Sequence, residues 1–256
     1  MSDYVKSIVF ALVLCLVCSV LLTSASVGLR KYQRQNLMVD RQKNILKAVG
    51  LIKSSGVYTP EEIARLYEDH IRCLWVSPSG DLLETGQHKN NALHVYVNIN
   101  ADRSIQNYII PINTRGLWGK IKGYMALEKD GATVAGFTVY KHNETPGLGG
   151  EIEKQWFQEN FVGKKIVNQD NEFVSITIAK GKVADSVAKE KRSHYVDGIS
   201  GATLTGKYLS RGLASILKTY EPVSVDFRQN RLNQLPAGQG SCETGKPTGR
   251  TKGKSS

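Results

Sequence analysis

The hydrophobic pattern of the chain begins with an unbroken apolar run, residues 7–29, that contains no charged side chain. A helix needs about 20 apolar residues to span a bilayer, and this run is long enough. Because the run follows Lys6 and passes small residues near Ala25, a cleaved signal peptide is the competing interpretation. We favour an uncleaved anchor, since the run stays apolar to Leu29 and continues into a segment with helical spacing.

Two helical patterns follow this run. Residues 30–56 keep a rough helical spacing of apolar positions and end at a Ser-Ser-Gly turn, which predicts a stalk helix. The next pattern has Thr59 as N-cap, Pro60 as first helical residue and Glu62 three positions beyond the cap, the signature of a capping box. We predict that this second helix runs to about Arg72.

The pattern changes to alternation of apolar and polar positions after a polar stretch at residues 77–91. Strands are predicted at Leu93–Ile99, Gln106–Ile112, Lys120–Glu128, Thr133–Tyr140 and Phe173–Ile178. Asp130-Gly131 is a strong hairpin signal. Helical patterns occur at residues 151–161 and from Thr203 to Tyr220. The sequence therefore predicts an α+β fold, a largely antiparallel sheet with flanking helices, preceded by one transmembrane helix.

Charge changes this picture only at the periphery. The net charge of +11 comes mostly from residues 30–53 and from the tail 240–256, so the central domain is nearly neutral. A nucleic-acid partner is therefore not expected, whereas anionic lipid headgroups suit a basic segment that follows an apolar run.

Cys15 and Cys18 lie inside the apolar run, and the two remaining cysteines stand alone, so no disulfide framework is expected. The histidines His70, His88, His94 and His194 have no ligand spacing, and we expect no metal.

Candidate chemistry lies in three Gly-rich stretches, residues 115–119, 144–150 and 197–203, each at the end of a predicted element. Glycine there permits a close approach of the main chain to a ligand. Thr203 opens a predicted helix, whose free N–H groups and dipole favour a phosphate; a Gly-rich turn with a Ser/Thr cap is the plainer interpretation. Hydrolase motifs and a GxxxxGK[ST] phosphate loop are absent from the sequence. The pattern suits a flat cofactor with a phosphate tail.

The stretch Asp197-Gly-Ile-Ser-Gly-Ala-Thr203 resembles the flavinylation motif of FMN-binding domains, in which a flavin transferase joins the FMN phosphate to the last threonine. Together with the stretch 144–149, the Gly-Leu-Trp of residues 116–118 and the anchor, it resembles the C subunit of the Na+-translocating NADH:quinone reductase over residues 7–225. The G subunit of the Rnf ferredoxin:NAD complex shares the domain and is the alternative within this resemblance.

The resemblance implies that Thr203 is esterified to FMN, with Thr205 as a competing hydroxyl outside the acceptor position. Residues that would shape the turn or be recognised by the transferase are Asp197, Ser200, Gly201 and Ala202. Residues expected around the flavin ring are Leu117, Trp118, Glu144, Thr145, Gly147 and Leu148, with ordinary core packing as the alternative for Trp118 and Leu148. We expect Glu144 to fix its loop. For His142, exposure to solvent is favoured over a role as proton partner.

The implied layout has five parts: a cytoplasmic N-terminus at residues 1–6, a transmembrane helix at 7–29, a basic stalk helix at 30–56, the covalent FMN-binding domain at 57–228 and a disordered basic tail at 229–256. The resemblance implies an inner-membrane oxidoreductase component, without a complete active site of its own. It would relay single electrons between iron–sulfur and flavin subunits while NADH is oxidised by quinone (ubiquinone) and Na+ is exported.

The family's domain lies on the periplasmic side of the membrane, whereas the basic residues after the span favour the cytoplasm by the positive-inside rule. Large domains translocate largely regardless of such charge, so we expect a periplasmic domain. A membrane-anchored module that binds a non-redox ligand is the alternative function.

Overall fold

The computed structural model describes residues 2–83 and 92–235. These residues form two compact units that divide between Gln42 and Lys43. The first unit is helical. Its helix, α1 (Asp3–Ala48), runs without a break through the predicted anchor and most of the predicted stalk, and its last turns belong to the second unit. Within the described residues, α1 is the one helix long and apolar enough to cross a membrane.

The second unit is built on a six-stranded sheet in which all neighbours are antiparallel. Its strands are β1 (Ile71–Val76), β2 (Leu82–Leu83), β3 (Leu93–Ile99), β4 (Ile105–Arg115), β5 (Lys120–Glu128) and β6 (Val134–Lys141), in the spatial order β2-β1-β3-β4-β5-β6. The turn after β5 places Gly131 at φ 64°, where glycine is favoured. The predicted α+β class with a largely antiparallel sheet is confirmed.

Short elements connect β6 to the last helix. They are a 3-10 helix (Gly149–Glu153), α3 (Gln155–Glu159), β7 (Thr177–Ile178), α4 (Val183–Ser186), a second 3-10 helix (Lys189–His194) and β8 (Tyr195–Val196). Strands β7 and β8 pair in parallel as a separate two-stranded sheet. The predicted helix at residues 151–161 is thus split in two, and the predicted strand at 173–178 keeps only its last two residues.

The last helix, α5 (Thr203–Arg228), packs its apolar stripe on one face of the sheet. The ring of Tyr108 stacks on Phe227 with centroids 4.2 Å apart, and the Tyr108 hydroxyl lies 2.8 Å from Ser224 Oγ. The sequence predicted that this helix would end at Tyr220, ahead of Pro222. The prediction was wrong because the residues beyond the proline are buried in the core, and this packing offsets the cost of a proline inside a helix.

The other face of the sheet is covered by the end of α1 and by α2 (Pro60–His70). Thr138 Oγ1 donates to the carbonyl of Asn44 at 3.2 Å. The predicted capping box of α2 is present: Glu62 N–H donates to Thr59 Oγ1 at 3.2 Å, and Thr59 N–H donates to Glu62 Oε2 at 2.8 Å. Burial raises the pKa of Tyr67, the residue that α2 turns toward the sheet.

Three features differ from the sequence predictions. α2 ends at His70, and β1 follows at once with no turn residue between them, so the predicted end at Arg72 was wrong. The sequence placed residues 231–235 in the predicted disordered tail, but they pack back on β4: Leu232 and Leu235 are buried, and Ile105 N–H donates to the Asn233 carbonyl at 2.9 Å. Cys73 is disulfide-bonded, which corrects the expectation of no disulfide; a single bridge leaves no local spacing in the sequence. His88, Cys242 and the tail from residue 236 lie outside the described residues.

Candidate functional site

The three Gly-rich stretches meet at one end of the six-stranded sheet. The first is the loop between β4 and β5, the second follows β6, and the third leads from β8 into α5. Together they surround a cavity of about 210 Å³ lined by Leu117, Trp118, Glu144, Thr145, Leu148, Gly149, Gly201, Ala202, Thr203, Leu204 and Thr205. Most of the residues that the sequence singled out are therefore neighbours in space.

Glu144 ties the three stretches together, although its side chain is only 4% exposed. Its Oε1 accepts a hydrogen bond from the backbone N–H of Trp118 at 3.0 Å, and its Oε2 accepts one from the Thr205 hydroxyl at 2.6 Å. Both oxygens accept, which is the pattern of an ionised carboxylate. Such charge-assisted bonds are stronger than neutral ones, so Glu144 fixes the first loop and the start of α5 relative to its own loop.

His142 holds the loop that carries Glu144. Its side chain is only 12% exposed, so the expectation of a solvent-exposed histidine was wrong. Nδ1 accepts from the Glu144 N–H at 3.1 Å, and Nε2 lies 3.1 Å from Glu153 Oε2. With Nδ1 as acceptor, the proton of a neutral ring is on Nε2 and faces that carboxylate. His142 thus connects two backbone segments beside the cavity.

The start of α5 presents two threonines in opposite environments. Thr203 is the first residue of the helix and is exposed at the cavity, whereas Thr205 is 2% exposed and donates to Glu144. The N-cap is Ala202, and α5 has no side-chain cap, so the plainer interpretation of a Ser/Thr cap is wrong. The first N–H groups of a helix lack partners within it. Here they open on the cavity, where an anionic group would be stabilised.

Three glycines of the site, Gly116, Gly149 and Gly201, leave little room for larger side chains. A Cβ at Gly201, whose φ is +72°, would lie 2.7 Å from Leu148 Cδ2. A Cβ at Gly149 would lie 2.5 Å from the Thr205 hydroxyl, and one at Gly116 would collide with the Glu144 carboxylate. Close contact between the three loops therefore requires glycine at these positions.

Some predicted residues lie beside the cavity rather than in its wall, namely Ser200, Gly147 and Asp197. Asp197 Oδ1 accepts from the Val183 N–H at 2.7 Å, which fastens the third stretch to α4. The structure also adds Gly149 and Leu204 to the wall. Gly149 lies in the Gly-rich stretch 144–150 and could have been predicted from it, whereas Leu204 has no sequence signal beyond its position next to Thr203.

The wall of the cavity is mainly apolar, and its two largest apolar side chains are open to solvent. Trp118 is 69% exposed and Leu148 is 43% exposed. The alternative that these two residues are ordinary core is therefore wrong. Because the cavity is smaller than the roughly 300–1,000 Å³ of typical ligand pockets, it can hold a small group or one end of a larger flat ligand. Apolar faces, an exposed hydroxyl and unpaired helix N–H groups together fit a flat ring that carries a phosphate.

The comparisons with known proteins agree with this geometry. Residues 116–218, which contain the three Gly-rich stretches except Arg115, match the family described as FMN-binding domain. The C subunit of the Na(+)-translocating NADH-quinone reductase of Vibrio alginolyticus is 32% identical over 248 residues, covering 86% of this chain and 93% of that protein. The same component of the Vibrio anguillarum enzyme is 34% identical over 230 residues, covering 80% and 87%.

A solved structure has the same fold. The C subunit from Parabacteroides distasonis aligns with a TM-score of 0.64 and 30% identity, covering 77% of this chain and 96% of that one. Sequence identity of this order over nearly the whole length of the relatives, with a shared domain and fold, shows that the chain belongs to the family of Na(+)-translocating NADH-quinone reductase C subunits, components of an oxidoreductase complex.

Proposed function

We propose that this chain holds FMN covalently, through an ester between the Thr203 hydroxyl and the FMN phosphate, and carries single electrons between other redox centres of the reductase. The observation that carries the proposal is the exposed Thr203 hydroxyl at the uncapped start of α5, inside a wall built by three Gly-rich loops. The match to the FMN-binding domain supports FMN as the cofactor.

The surroundings of the two threonines support Thr203 over Thr205 as the attachment site. The Thr205 hydroxyl is buried and already donates to Glu144 at 2.6 Å, so its use would break the contact that joins the loops. The Thr203 hydroxyl is exposed, and a phosphate joined to it would lie at the positive end of the α5 dipole.

The other residues would orient the ring and limit water. Bound FMN supplies the one-electron chemistry, and the protein supplies position and dielectric. Trp118 and Leu148 are exposed apolar side chains on opposite loops, and Thr145 lies beside them in the same wall. They would contact the ring faces and exclude water there. Because the cavity is small and open, a covalent bond would also prevent loss of the cofactor.

The role in the complex follows from the relatives, whose name specifies NADH, quinone and Na+ translocation. We infer that this chain works with iron–sulfur and flavin subunits, is matured by a flavin transferase, and supports quinone reduction coupled to Na+ export. The apolar run at residues 7–29 contains no Asp, Glu, Lys, Arg or His. Charged side chains within a membrane mark ion paths, so ion movement is assigned to the partner subunits.

We propose that the anchor lies in the bacterial inner membrane with the FMN domain on the periplasmic side. The disulfide at Cys73 supports this side, because disulfides persist in the periplasm and are rare in the cytosol. The basic residues after the anchor favour the opposite orientation. The two orientations are distinguished with a single cysteine engineered at the exposed position Lys129 and a membrane-impermeant maleimide. Labelling in intact cells supports a periplasmic domain, and labelling only after lysis contradicts a periplasmic domain.

Co-expression of the full chain with a flavin transferase, followed by in-gel fluorescence of the denatured protein, tests the attachment. We expect fluorescence in the parent and in the control T219A, a threonine elsewhere on α5, and its loss in T203A. Absence of fluorescence from the parent would favour the alternative of a non-redox binding module. Fluorescence that persists in T203A but disappears in T205A would move the attachment to Thr205.

A further inference from the structure

The strand ends that lead into the cavity loops carry basic side chains in the β4–β5 and β5–β6 pairs. Arg115 and Lys120 are directly opposite in the register of β4 and β5, and the loop that carries Trp118 connects them. Lys122 pairs with Lys141 across β5 and β6, next to a register shift between Lys122 and Gly123 and just before the loop of Glu144. Like charges directly opposite on a sheet are destabilising, so this arrangement opposes folding.

A second pair of cations follows the cavity on α5. Lys207 and Arg211 are exposed one turn apart, a like-charge spacing that disfavours the helix. Arg211 is next to Gly212, which approaches Thr114 so closely that a Cβ there would collide with its side chain. Thr114 in turn precedes Arg115 in β4. Successive side chains of a strand point to opposite faces, so Arg115 lies on the face away from α5. The strand cations and the helix cations therefore flank the Trp118 loop from the two sides of the sheet.

Carboxylates of the described residues do not neutralise these six cations by ion pairing. Nearby acidic groups have other partners: Glu144 is buried, Glu151 accepts from the Trp156 indole, and Glu153 faces His142 and Lys154. The rim, defined as Arg115, Lys120, Lys122, Lys141, Lys207 and Arg211, thus carries an uncompensated positive charge.

The rim adjoins exposed apolar side chains at the mouth of the cavity. Leu204, which lines the cavity with the exposed Trp118 and Leu148, is 51% exposed, and Tyr208, one helical turn later, is 38% exposed. An apolar centre with a charged border is the usual anatomy of a protein–protein interface. Charge around such a centre accelerates and orients docking of a partner of opposite sign.

We propose that the rim and its apolar centre dock an acidic face of the protein that exchanges electrons with the flavin. This rests on the proposed function, since electrons would enter and leave through the open side of the cavity. A protein partner is favoured over anionic lipid because a lipid headgroup seated on Trp118 and Leu148 would separate the flavin from any redox centre. The rim cations, which oppose folding of the isolated chain, are stabilised when this partner binds.

Reconstitution tests the proposal. The reductase lacking this chain is purified in a neutral detergent, full-length flavin-loaded chain is added, and the restored NADH:quinone reductase rate is measured against chain concentration. Two variants remove rim charge from different elements, R115Q/K120Q and K207Q/R211Q. The matched control K129Q/K218Q removes the same charge elsewhere; Lys129 is nine residues beyond Lys120 across β5, about 30 Å away.

We expect each rim variant to raise the half-saturating chain concentration about fivefold at low salt, and the difference to shrink below about twofold at high salt, because exposed charges are screened. The control should have the same half-saturating concentration as the parent at both salt concentrations. Flavin content of every variant is measured first, and the α5 variant keeps the test valid if the strand variant loses its loop structure. Equal behaviour of rim variants and control at low salt would overturn the proposal.

A defect that appears only when phosphatidylglycerol is added would also overturn it, in favour of lipid. The proposed function fails separately: a parent chain without covalent flavin, or one that restores no activity, refutes electron carriage and the docking surface with it. A parent that restores activity while all variants behave alike refutes the docking surface alone.

Discussion

Removal of the Glu144 carboxylate is expected to detach the first Gly-rich loop from the start of α5. The side chain is 4% exposed and accepts from the Trp118 N–H at 3.0 Å and the Thr205 hydroxyl at 2.6 Å. Bonds to a charged group contribute about 1.5–3 kcal/mol each. E144A removes both bonds and leaves both donors without an acceptor, so it should lower the free energy of unfolding by roughly 3–6 kcal/mol.

The size of the effect should depend on which bond is lost. T205V removes only the hydroxyl bond and should cost about 1.5–3 kcal/mol. E144Q keeps an acceptor for the Trp118 N–H and presents an amide to the Thr205 hydroxyl, so we expect a loss of about 1 kcal/mol. If one carboxylate joins both loops, T205V should cost almost nothing in the E144A background, a coupling of about 1.5–3 kcal/mol.

Urea unfolding of the unit that begins at Lys43, followed by tryptophan fluorescence and circular dichroism, measures the parent and the four variants. Hydrogen exchange at the Trp118 amide reports the individual bond and should accelerate in E144A but not in T205V. Additive losses in the double variant, or an unchanged Trp118 exchange rate in E144A, would refute the view that Glu144 connects the loops.

Other predictions concern the core and its pH response. F227A removes a ring that stacks on Tyr108 at 4.2 Å and should cost about 3–5 kcal/mol, whereas Y108F removes one hydroxyl bond and should cost about 1 kcal/mol in urea unfolding; equal losses would contradict this. G123A drives a Cβ into the Thr138 carbonyl and should cost roughly 1–3 kcal/mol, and no change in unfolding midpoint would argue against the close strand contact. Burial would raise the pKa of Asp130, but bonds from Thr133 and Ala132 outweigh it and hold the pKa below 3.8. The stabilisation from ionised Asp130 is fully present above the ordinary pKa of the carboxyl and is lost as pH falls through its pKa in the folded protein. The difference in unfolding free energy between parent and D130N should therefore shrink below about pH 4. A difference that stays constant with pH would exclude this stabilisation.

The strands with strict alternation were predictable from sequence, and two of them, Leu93–Ile99 and Lys120–Glu128, have the predicted bounds. The capping box at Thr59 was also predictable, because its two partners, Thr59 and Glu62, are only three positions apart. β1 was not predictable, because His70 ends a helix and Ile71 begins a strand without a glycine or proline between them. Such boundaries are decided by pairing with a distant strand, here β3, which local propensity does not record.

The membership of the site was largely predictable, and its connections were not. The Gly-rich motifs named most of the cavity wall because glycine is needed wherever three loops touch. The bond between Glu144 and Thr205 joins residues 61 positions apart and leaves no mark on either segment. The same holds for the contact of His142 with Glu153 and for the disulfide at Cys73.

Attachment of FMN to the first residue of α5 is the central claim. The most direct measurement is tandem mass spectrometry of peptides from the full chain co-expressed with a flavin transferase. We predict that the peptide containing Thr203 gains the mass of one FMN less one water, with the fragment ions assigning the addition to Thr203. The unmodified mass for this peptide in a flavin-containing preparation, or an addition assigned to Thr205, would contradict it.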